Sequence, residues 1–229
     1  MRELYGKQVF DSLEELVAPE HTAIIVVDMQ NDLVSTEGFL ALKGDDVSPN
    51  RSIIQPLHNL LAVGRKVGVK LVAYIQYTID PTMSTVSPEW IYRSHRTRPI
   101  EGVRTHYVSL DGCMEGTWGW EIIPELEPQE GDIRIRKNHL GAFWATNMDK
   151  ILRDNGIKTV VVTGTATSGC VHDTAVGASA NDYYTVVVKD CVIQNNLEKH
   201  DLGLRFLAER YDTPNAEDVV TAWADSPAI

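Results

Sequence analysis

Short apolar runs alternate with longer amphipathic segments along most of this 229-residue chain. The apolar runs are rich in β-branched residues, as expected of strands buried on both faces. The segments between them repeat apolar residues at three- and four-residue spacing, which is typical of helices that cover a sheet. The pattern predicts an α/β protein with three layers, α/β/α, around a mostly parallel, Rossmann-like sheet of six strands.

The predicted strands cover residues 23–27, 70–75, 132–136, 159–162 and 184–188, with a last short strand near Val219 and Val220. Helices are predicted from about residue 52 to 66, from Thr146 as cap to about 154, from Cys170 onward, and from 198 to 209. A chain of this length can bury one full core, so we expect a single domain over residues 1–229.

The connection from about residue 76 to 128 is the least regular part of the chain. It contains Pro81, Pro88 and Pro99, and it also contains tryptophans and arginines, among them Trp90, Trp118, Trp120, Arg93, Arg96 and Arg98. So long a connection inside a compact domain is usually functional. We therefore expect a pocket-forming insertion here.

The stretch from Lys158 to Cys170 is the most informative part of the sequence. A buried strand is followed by Gly164, by a loop of small residues and then by Cys170 at the predicted start of a helix. The carboxyl ends of strands in open α/β sheets carry the chemistry, and a helix N-terminus favours a thiolate. The alternative is that Cys170 is a small buried residue without a chemical role.

Two further polar residues follow predicted strands, Asp28 after residues 23–27 and Lys137 after 132–136. Parallel strands would bring both to the same sheet edge as Cys170. An acid, a cation and a thiol together permit nucleophilic catalysis, in which the carboxylate takes the thiol proton. Taken singly, Asp28 could cap a turn and Lys137 could be a solvated surface residue.

The composition excludes several classes of partner. The net charge is −11 and no basic run is interleaved with aromatic residues, so neither nucleic acid nor a membrane is an expected partner. The three cysteines lack C-x-x-C spacing, which argues against a disulfide framework and a structural zinc site. No apolar stretch is long enough for a signal peptide or a membrane span, and a cytoplasmic location is expected.

Four motifs now carry a resemblance to a known family. They are IIVVDMQND at residues 24–32, WEIIPEL at 120–126, Arg136-Lys137 followed by Gly141-Ala142-Phe143, and VTGTATSGCV at 162–171. With these motifs the chain resembles the isochorismatase-like cysteine hydrolases over about residues 22–220. It looks most similar to their N-carbamoylsarcosine, maleamate and ureido amidohydrolase branch.

The resemblance implies roles for individual residues. Asp28 would be the general base, Lys137 would orient and stabilise charge, and Cys170 would be the nucleophile that forms a thioester. A non-proline cis peptide would join Thr165 to Ala166, and the backbone N–H groups of Ala166 and Cys170 would form the oxyanion hole. The resemblance also implies a homodimer or homotetramer that acts on a small-molecule substrate without a cofactor.

Departures from family patterns bear on the metal and the substrate. Nicotinamidases bind a metal through Asp-x-His after the second strand, whereas Asp80 has no nearby histidine, so no metal is expected. Related amidases hold a substrate carboxylate with an arginine where this chain has Asn195. The candidate substrate-binding residues are Asn195, Gln194, Trp118 and Arg96.

Two substrate classes stay open at this point. A neutral carbamoyl or ureido compound could bind to the Asn195 and Gln194 amides. A carboxylate could instead bind to Arg93, Arg96 or Arg98. Alternative functions are an isochorismatase-type or nicotinamidase hydrolase, or a catalytically idle binding protein.

Overall fold

The computed structural model describes residues 1–95 and 110–225. Their strands are β1 (Arg2–Leu4), β2 (Lys7–Val9), β3 (Thr22–Val27), β4 (Leu71–Tyr77), β5 (Ile133–Lys137), β6 (Thr159–Thr165) and β7 (Tyr184–Ile193). The last five form a parallel sheet in the order β5-β4-β3-β6-β7, while β1 and β2 form a separate antiparallel hairpin. The expected α/β class with a mostly parallel sheet is therefore confirmed.

Helices flank this sheet on both faces. In the described residues they are α1 (Leu13–Leu16), α2 (Asn31–Val34), α3 (Phe39–Leu42), α4 (Ser48–Ser52), α5 (Ile54–Val67), α6 (Pro88–His95), α7 (Met148–Asp154), α8 (His172–Ala180), α9 (Leu197–Ala208) and α10 (Ala216–Asp225). None of them is long and apolar enough to cross a membrane.

Alternation along the strands divides the interior into two cores. In β3, Ile24 and Val26 face a core built with α5 and α10, whereas Ile25 and Val27 face a second core built with α7 and α8. Every residue of β3 is buried, because helices cover both faces of the sheet. The central strand thus ends in a fixed position directly before Asp28.

The sheet has five strands, so the expectation of six was wrong. Val219 and Val220 lie in α10, not in a strand. Ala216, Val219 and Trp223 recur at spacings of three and four and are buried against α5, which is the pattern of one helix face. Two adjacent β-branched residues suggested a strand, but this longer periodicity determines the structure.

The local structure around Cys170 also differs from the expectation. β6 does not stop at residue 162 but continues through Gly164 to Thr165. The chain then forms a wide turn of π-helical type over Thr167–Val171, and α8 begins only at His172. Cys170 therefore lies in this turn rather than at the first residue of a regular helix.

The start of α7 differs by one residue from its predicted position. The helix begins at Met148, with Asn147 rather than Thr146 at the cap position. The Thr146 hydroxyl still accepts a hydrogen bond from the Met148 N–H at 3.2 Å. Thr146 thus provides a hydrogen-bond acceptor for one of the N–H groups of the first turn that have no partner within the helix, although it lies one residue before the cap position.

The connection between β4 and β5 is described in part. It contains α6 and a third core in which Tyr77, Trp90 and Trp120 are buried. Arg96 and Arg98 lie outside the described residues. The pocket-forming role of this connection stays a prediction.

The order of the strands locates a crevice in the sheet. From β3 the chain moves outward to β4 and β5, and it then returns to the other side of β3 as β6 and β7. The carboxyl ends of β3 and β6 therefore meet where the direction of strand addition reverses, which is where open α/β sheets bind ligands.

Candidate active site

Asp28 and Lys137 form a buried ion pair at the carboxyl ends of β3 and β5. The Lys137 Nζ donates to Asp28 Oδ2 at 2.7 Å, and the two side chains are 0% and 1% exposed. The other oxygen, Asp28 Oδ1, accepts the backbone N–H of Tyr77 at 2.9 Å. Both carboxylate oxygens are thereby held in place, one from β4, which is next to β3, and the other from β5, which lies beyond β4.

Lys137 also contacts the cysteine. Its Nζ lies 3.2 Å from Cys170 Sγ and 3.2 Å from the carbonyl oxygen of His139. All three ammonium protons thus have an acceptor. The ring of Tyr77 lies 5.2 Å from the same Nζ, which adds a cation–π contact. The structure therefore brings Asp28, Lys137 and Cys170 into one cluster around a single ammonium group.

The surroundings of the cluster set its protonation states. Burial and, after it, the charge of Asp28 together raise the pKa of the Cys170 thiol to about 12, against the opposing effect of Lys137. Burial lowers the pKa of Lys137, but Asp28 and Cys170 outweigh it and the net shift is upward. At neutral pH the cluster thus holds an ammonium ion and a protonated thiol, not the thiolate expected from a helix N-terminus.

The loop from Ala166 to Cys170 leads from β6 to the thiol. The peptide bond between Thr165 and Ala166 is cis. The carbonyl oxygen of Ala166 accepts the N–H groups of Gly169 at 2.9 Å and Val171 at 3.2 Å, which closes the turn. This loop, residues 166–170, is called the nucleophile loop below, after its candidate nucleophile Cys170.

Gly164 permits the close contact between β6 and β3 just before the loop. Its φ is +102°, a conformation that side chains rarely adopt, and an added Cβ would lie 2.1 Å from the Val27 carbonyl oxygen. The neighbouring Thr163 hydroxyl donates to the Ile25 carbonyl at 2.9 Å. A residue without a side chain is therefore required where the strand approaches Asp28.

A cleft of about 420 Å³ lies next to His139, whose backbone carbonyl contacts Lys137. Its described lining residues are mainly aromatic and acidic: Glu89, Trp90, His139, Leu140, Trp144, Ala145 and Asp173. His139 connects the cleft to Lys137 through its carbonyl group, and Asp173 lies three residues after Cys170. The lining of the cleft therefore includes one residue in contact with Lys137 and one that is close in sequence to Cys170.

The predicted substrate-binding residues do not line this cleft in the part of the chain that is described. The Gln194 Oε1 accepts hydrogen bonds from the Ser168 N–H at 3.1 Å and the Ser168 hydroxyl at 2.7 Å. Asn195 Oδ1 accepts the Asn196 N–H at 3.0 Å. Trp118 is half exposed, and Arg96 is outside the described residues. The side-chain oxygens of Gln194 and Asn195 are thus used within the protein.

Asp80 holds its own turn. Its carboxylate accepts the Thr82 N–H at 2.9 Å and the Ser84 N–H at 3.1 Å, which lowers the pKa of Asp80 to about 2 together with the hydroxyl groups of Ser84 and Thr82. Within residues 1–95 and 110–225 no three His, Cys, Asp or Glu side chains are grouped so as to hold a metal ion.

Several residues of the site were not identified from the sequence. His139, Trp144 and Asp173 line the cleft, and Thr167 pairs with His200 beneath the nucleophile loop at 2.8 Å. Two of these residues could have been found from their proximity in sequence to candidate site residues: His139 follows Lys137 by two residues, and Asp173 follows Cys170 by three. No sequence signal connects Thr167 with His200, because their contact depends on how α9 packs.

Known proteins resemble the chain in both sequence and structure. The ureidoacrylate amidohydrolase RutB of Klebsiella pneumoniae subsp. pneumoniae is 34% identical over 179 residues, which is 77% of this chain and 75% of the relative. An isochorismatase-like hydrolase from Alkaliphilus metalliredigens is 28% identical, with a TM-score of 0.69 over 88% of this chain and 98% of that one. N-carbamoylsarcosine amidase from Thermoplasma acidophilum is 26% identical, with a TM-score of 0.63 over 86% and 96% of the two chains.

The family match covers the sheet and the candidate site together. A family model described as the isochorismatase domain matches residues 22–222, from the first residue of β3 to within α10. Asp28, Lys137 and Cys170 all lie inside this range. The chain therefore belongs to the isochorismatase family.

Proposed function

We propose that this protein is a cysteine amidohydrolase that cleaves a carbon–nitrogen bond of a small carbamoyl, ureido or amide compound through a thioester on Cys170. It is a hydrolase of carbon–nitrogen bonds, as its family and its ureidoacrylate amidohydrolase relatives indicate. The observation that carries the proposal is the contact of Lys137 Nζ with both Asp28 and Cys170, at 2.7 and 3.2 Å.

The first half of the reaction begins with a neutral thiol. Cys170 Sγ attacks the carbonyl carbon while its proton passes to Asp28, since Lys137 holds the carboxylate and the thiol beside the same ammonium group. The backbone N–H groups of Ala166 and Cys170 stabilise the negative charge on the carbonyl oxygen. The carbon–nitrogen bond then breaks, and the leaving nitrogen takes the proton from Asp28 and departs as ammonia or an amine.

The second half of the reaction restores the enzyme. Asp28 takes a proton from water as the oxygen attacks the thioester carbon, and the carbon–sulfur bond breaks. The sulfur regains the proton from Asp28, and the acid product leaves. Lys137 stays protonated throughout, since its raised pKa keeps it charged, and it compensates the negative charge that moves between sulfur and carboxylate.

Burial explains why this arrangement needs all three groups. In a buried site the thiol does not ionise by itself, because its pKa is raised to about 12. A carboxylate that takes the thiol proton as the sulfur attacks removes the need for a free thiolate. The ammonium group pairs with that buried carboxylate and compensates its desolvation.

The names of the relatives and the lining of the cleft support the proposed substrate class. The printed names of the relatives describe ureidoacrylate and N-carbamoylsarcosine as substrates of those proteins. Trp144, which is half exposed, lines the cleft and offers its ring to a planar carbamoyl or ureido group.

The test measures ammonia and amine release from ureidoacrylate, N-carbamoylsarcosine, maleamate, biuret and nicotinamide, before and after alkylation of the protein. We expect turnover of a carbamoyl or ureido compound, lost in proportion to the alkylated fraction of Cys170. Peptide mass spectrometry measures the alkylation of Cys170 separately from that of Cys113 and Cys191, which are buried. Release from none of the carbamoyl or amide compounds, or full release after complete alkylation of Cys170, would refute the proposal.

A further inference from the structure

The nucleophile loop is held by a segment that lies 24 or more residues later in the chain. Gln194, the first residue after β7, accepts two hydrogen bonds from Ser168. His200 in α9 pairs with Thr167. Two consecutive loop residues are thus fixed by side chains that do not line the cleft, as far as its lining is described.

The contact between Thr167 and His200 is the more buried of the two. Thr167 is fully buried, and its Oγ1 lies 2.8 Å from His200 Nδ1. Burial lowers the pKa of His200, and Asp201 opposes this only in part. The imidazole is therefore neutral at neutral pH, and with its proton on Nε2 it accepts the Thr167 hydroxyl at Nδ1.

Helix α9 approaches the loop closely at one residue without a side chain. A Cβ added to Gly203 would lie 3.0 Å from the Cβ of Ser168 and 3.1 Å from its Cα. His200 and Gly203 are three residues apart and thus on the same face of α9. One helix face therefore sets the position of residues 167 and 168 by packing and by a hydrogen bond.

We propose that His200 is a positioning residue: through Thr167 it holds the nucleophile loop so that the N–H groups of Ala166 and Cys170 point at the reacting carbonyl oxygen. Thr167 directly follows Ala166 and lies three residues before Cys170, so a shift of Thr167 moves both groups. The inference rests on the proposed function of this loop. Misplacement of such donors by about 1 Å costs up to about 100-fold in rate.

The kinetic test compares His200→Leu with His200→Asn, whose amide oxygen replaces Nδ1 as the acceptor. We expect kcat of His200→Leu to fall about 10- to 100-fold with KM nearly unchanged, because the described cleft does not include His200. His200→Asn restores most of kcat. Thr167→Val removes the hydroxyl from the other side and gives a similar loss, and the double variant loses no more than either single variant.

A second measurement needs no substrate. Hydrogen exchange of residues 165–171 is expected to become about 10-fold faster in His200→Leu, as for the loss of one hydrogen bond, and to stay unchanged in the sheet strands. Lys199→Leu is the control, since Lys199 is an exposed neighbour in α9. If the wild type turns over no carbamoyl compound, the proposed function is wrong. The hydrogen exchange of residues 165–171 still tests whether His200 holds the loop in position.

Two results would overturn the positioning role. One is unchanged kcat in both His200→Leu and Thr167→Val together with unchanged exchange of residues 165–171. The other is a loss of activity in His200→Leu that His200→Asn does not restore and that accompanies faster exchange throughout the sheet, because that result describes a general loss of stability.

Discussion

Lys137 donates a 2.7 Å hydrogen bond to Asp28 across 109 residues of sequence, and both side chains are almost completely buried. Each charge in such a pair compensates the desolvation of the other. The third member of the cluster, Cys170, contacts the ammonium group of the pair at 3.2 Å. The electrostatics of the pair therefore determine both the stability of this sheet edge and the reactivity of the thiol.

We predict that Lys137→Met lowers the free energy of unfolding by about 3–5 kcal/mol, because it leaves the Asp28 carboxylate buried without its counterion. Urea denaturation at pH 7 measures this change. Arg134→Met in the same strand is the control: Arg134 pairs with Glu121 at the surface, and its loss is expected to cost about 1 kcal/mol or less. Equal changes for the two variants would contradict the account of the buried pair.

We predict that Asp28→Asn lowers kcat about 100- to 10,000-fold, because it removes the proposed general base. The fold should tolerate the change, since Asp28 has a φ of +52° and asparagine accepts this conformation well. Circular dichroism and steady-state ammonia release measure the two effects. Turnover within a few-fold of the wild type would exclude Asp28 as the base.

The same substitution is expected to make the thiol more reactive toward alkylation. The Asp28 charge raises the pKa of Cys170, so its removal lowers that pKa and increases the thiolate fraction at any pH below it. Iodoacetamide labelling between pH 7 and 10 measures this fraction, with Cys170→Ala as the blank. Asp28→Asn should label faster than the wild type while it turns over substrate more slowly. Slower labelling of Asp28→Asn would show that the charge of Asp28 does not raise the pKa of the Cys170 thiol.

We predict that Gly164→Ala destabilises the protein by more than about 3 kcal/mol. The new Cβ would combine an unfavourable positive φ, which costs about 1–2 kcal/mol, with a contact of 2.1 Å to the Val27 carbonyl. Gly156→Ala is the matched control, because Gly156 also has a positive φ but has no neighbour within 4 Å. Thermal unfolding compares the two variants, and similar losses would mean that conformation alone, not the close approach, requires Gly164.

The sequence predicted the main strands well where both faces of the sheet are covered. The first strand was expected over residues 23–27 and the structure has Thr22–Val27. The agreement is close because a short, continuous apolar run is typical of a strand that is buried on both faces. Val219 and Val220 were misassigned, because two residues do not distinguish a strand from one helix face. The β1–β2 hairpin was missed, since its exposed residues carry no apolar alternation.

The candidate site was predictable only in part. Asp28, Lys137 and Cys170 follow three strands of one sheet, so topology alone places them along one edge. The contacts that complete the site depend on tertiary packing: the Lys137 Nζ bonds to a backbone carbonyl of His139, and Thr167 meets His200 from a helix that begins 30 residues later. Gln194 was expected to bind substrate, yet its side-chain oxygen holds Ser168, which a sequence pattern does not encode.

The central claim, covalent catalysis by Cys170, is tested most directly by turnover of Cys170→Ala beside Cys191→Ala. Cys191 is buried in the core beside α5 and α10 and is not part of the cluster, so its variant serves as the matched control. With a carbamoyl substrate that the wild type hydrolyses, the account predicts no release above background from Cys170→Ala and clear release from Cys191→Ala. Release from folded Cys170→Ala at a rate near that of the wild type would contradict it.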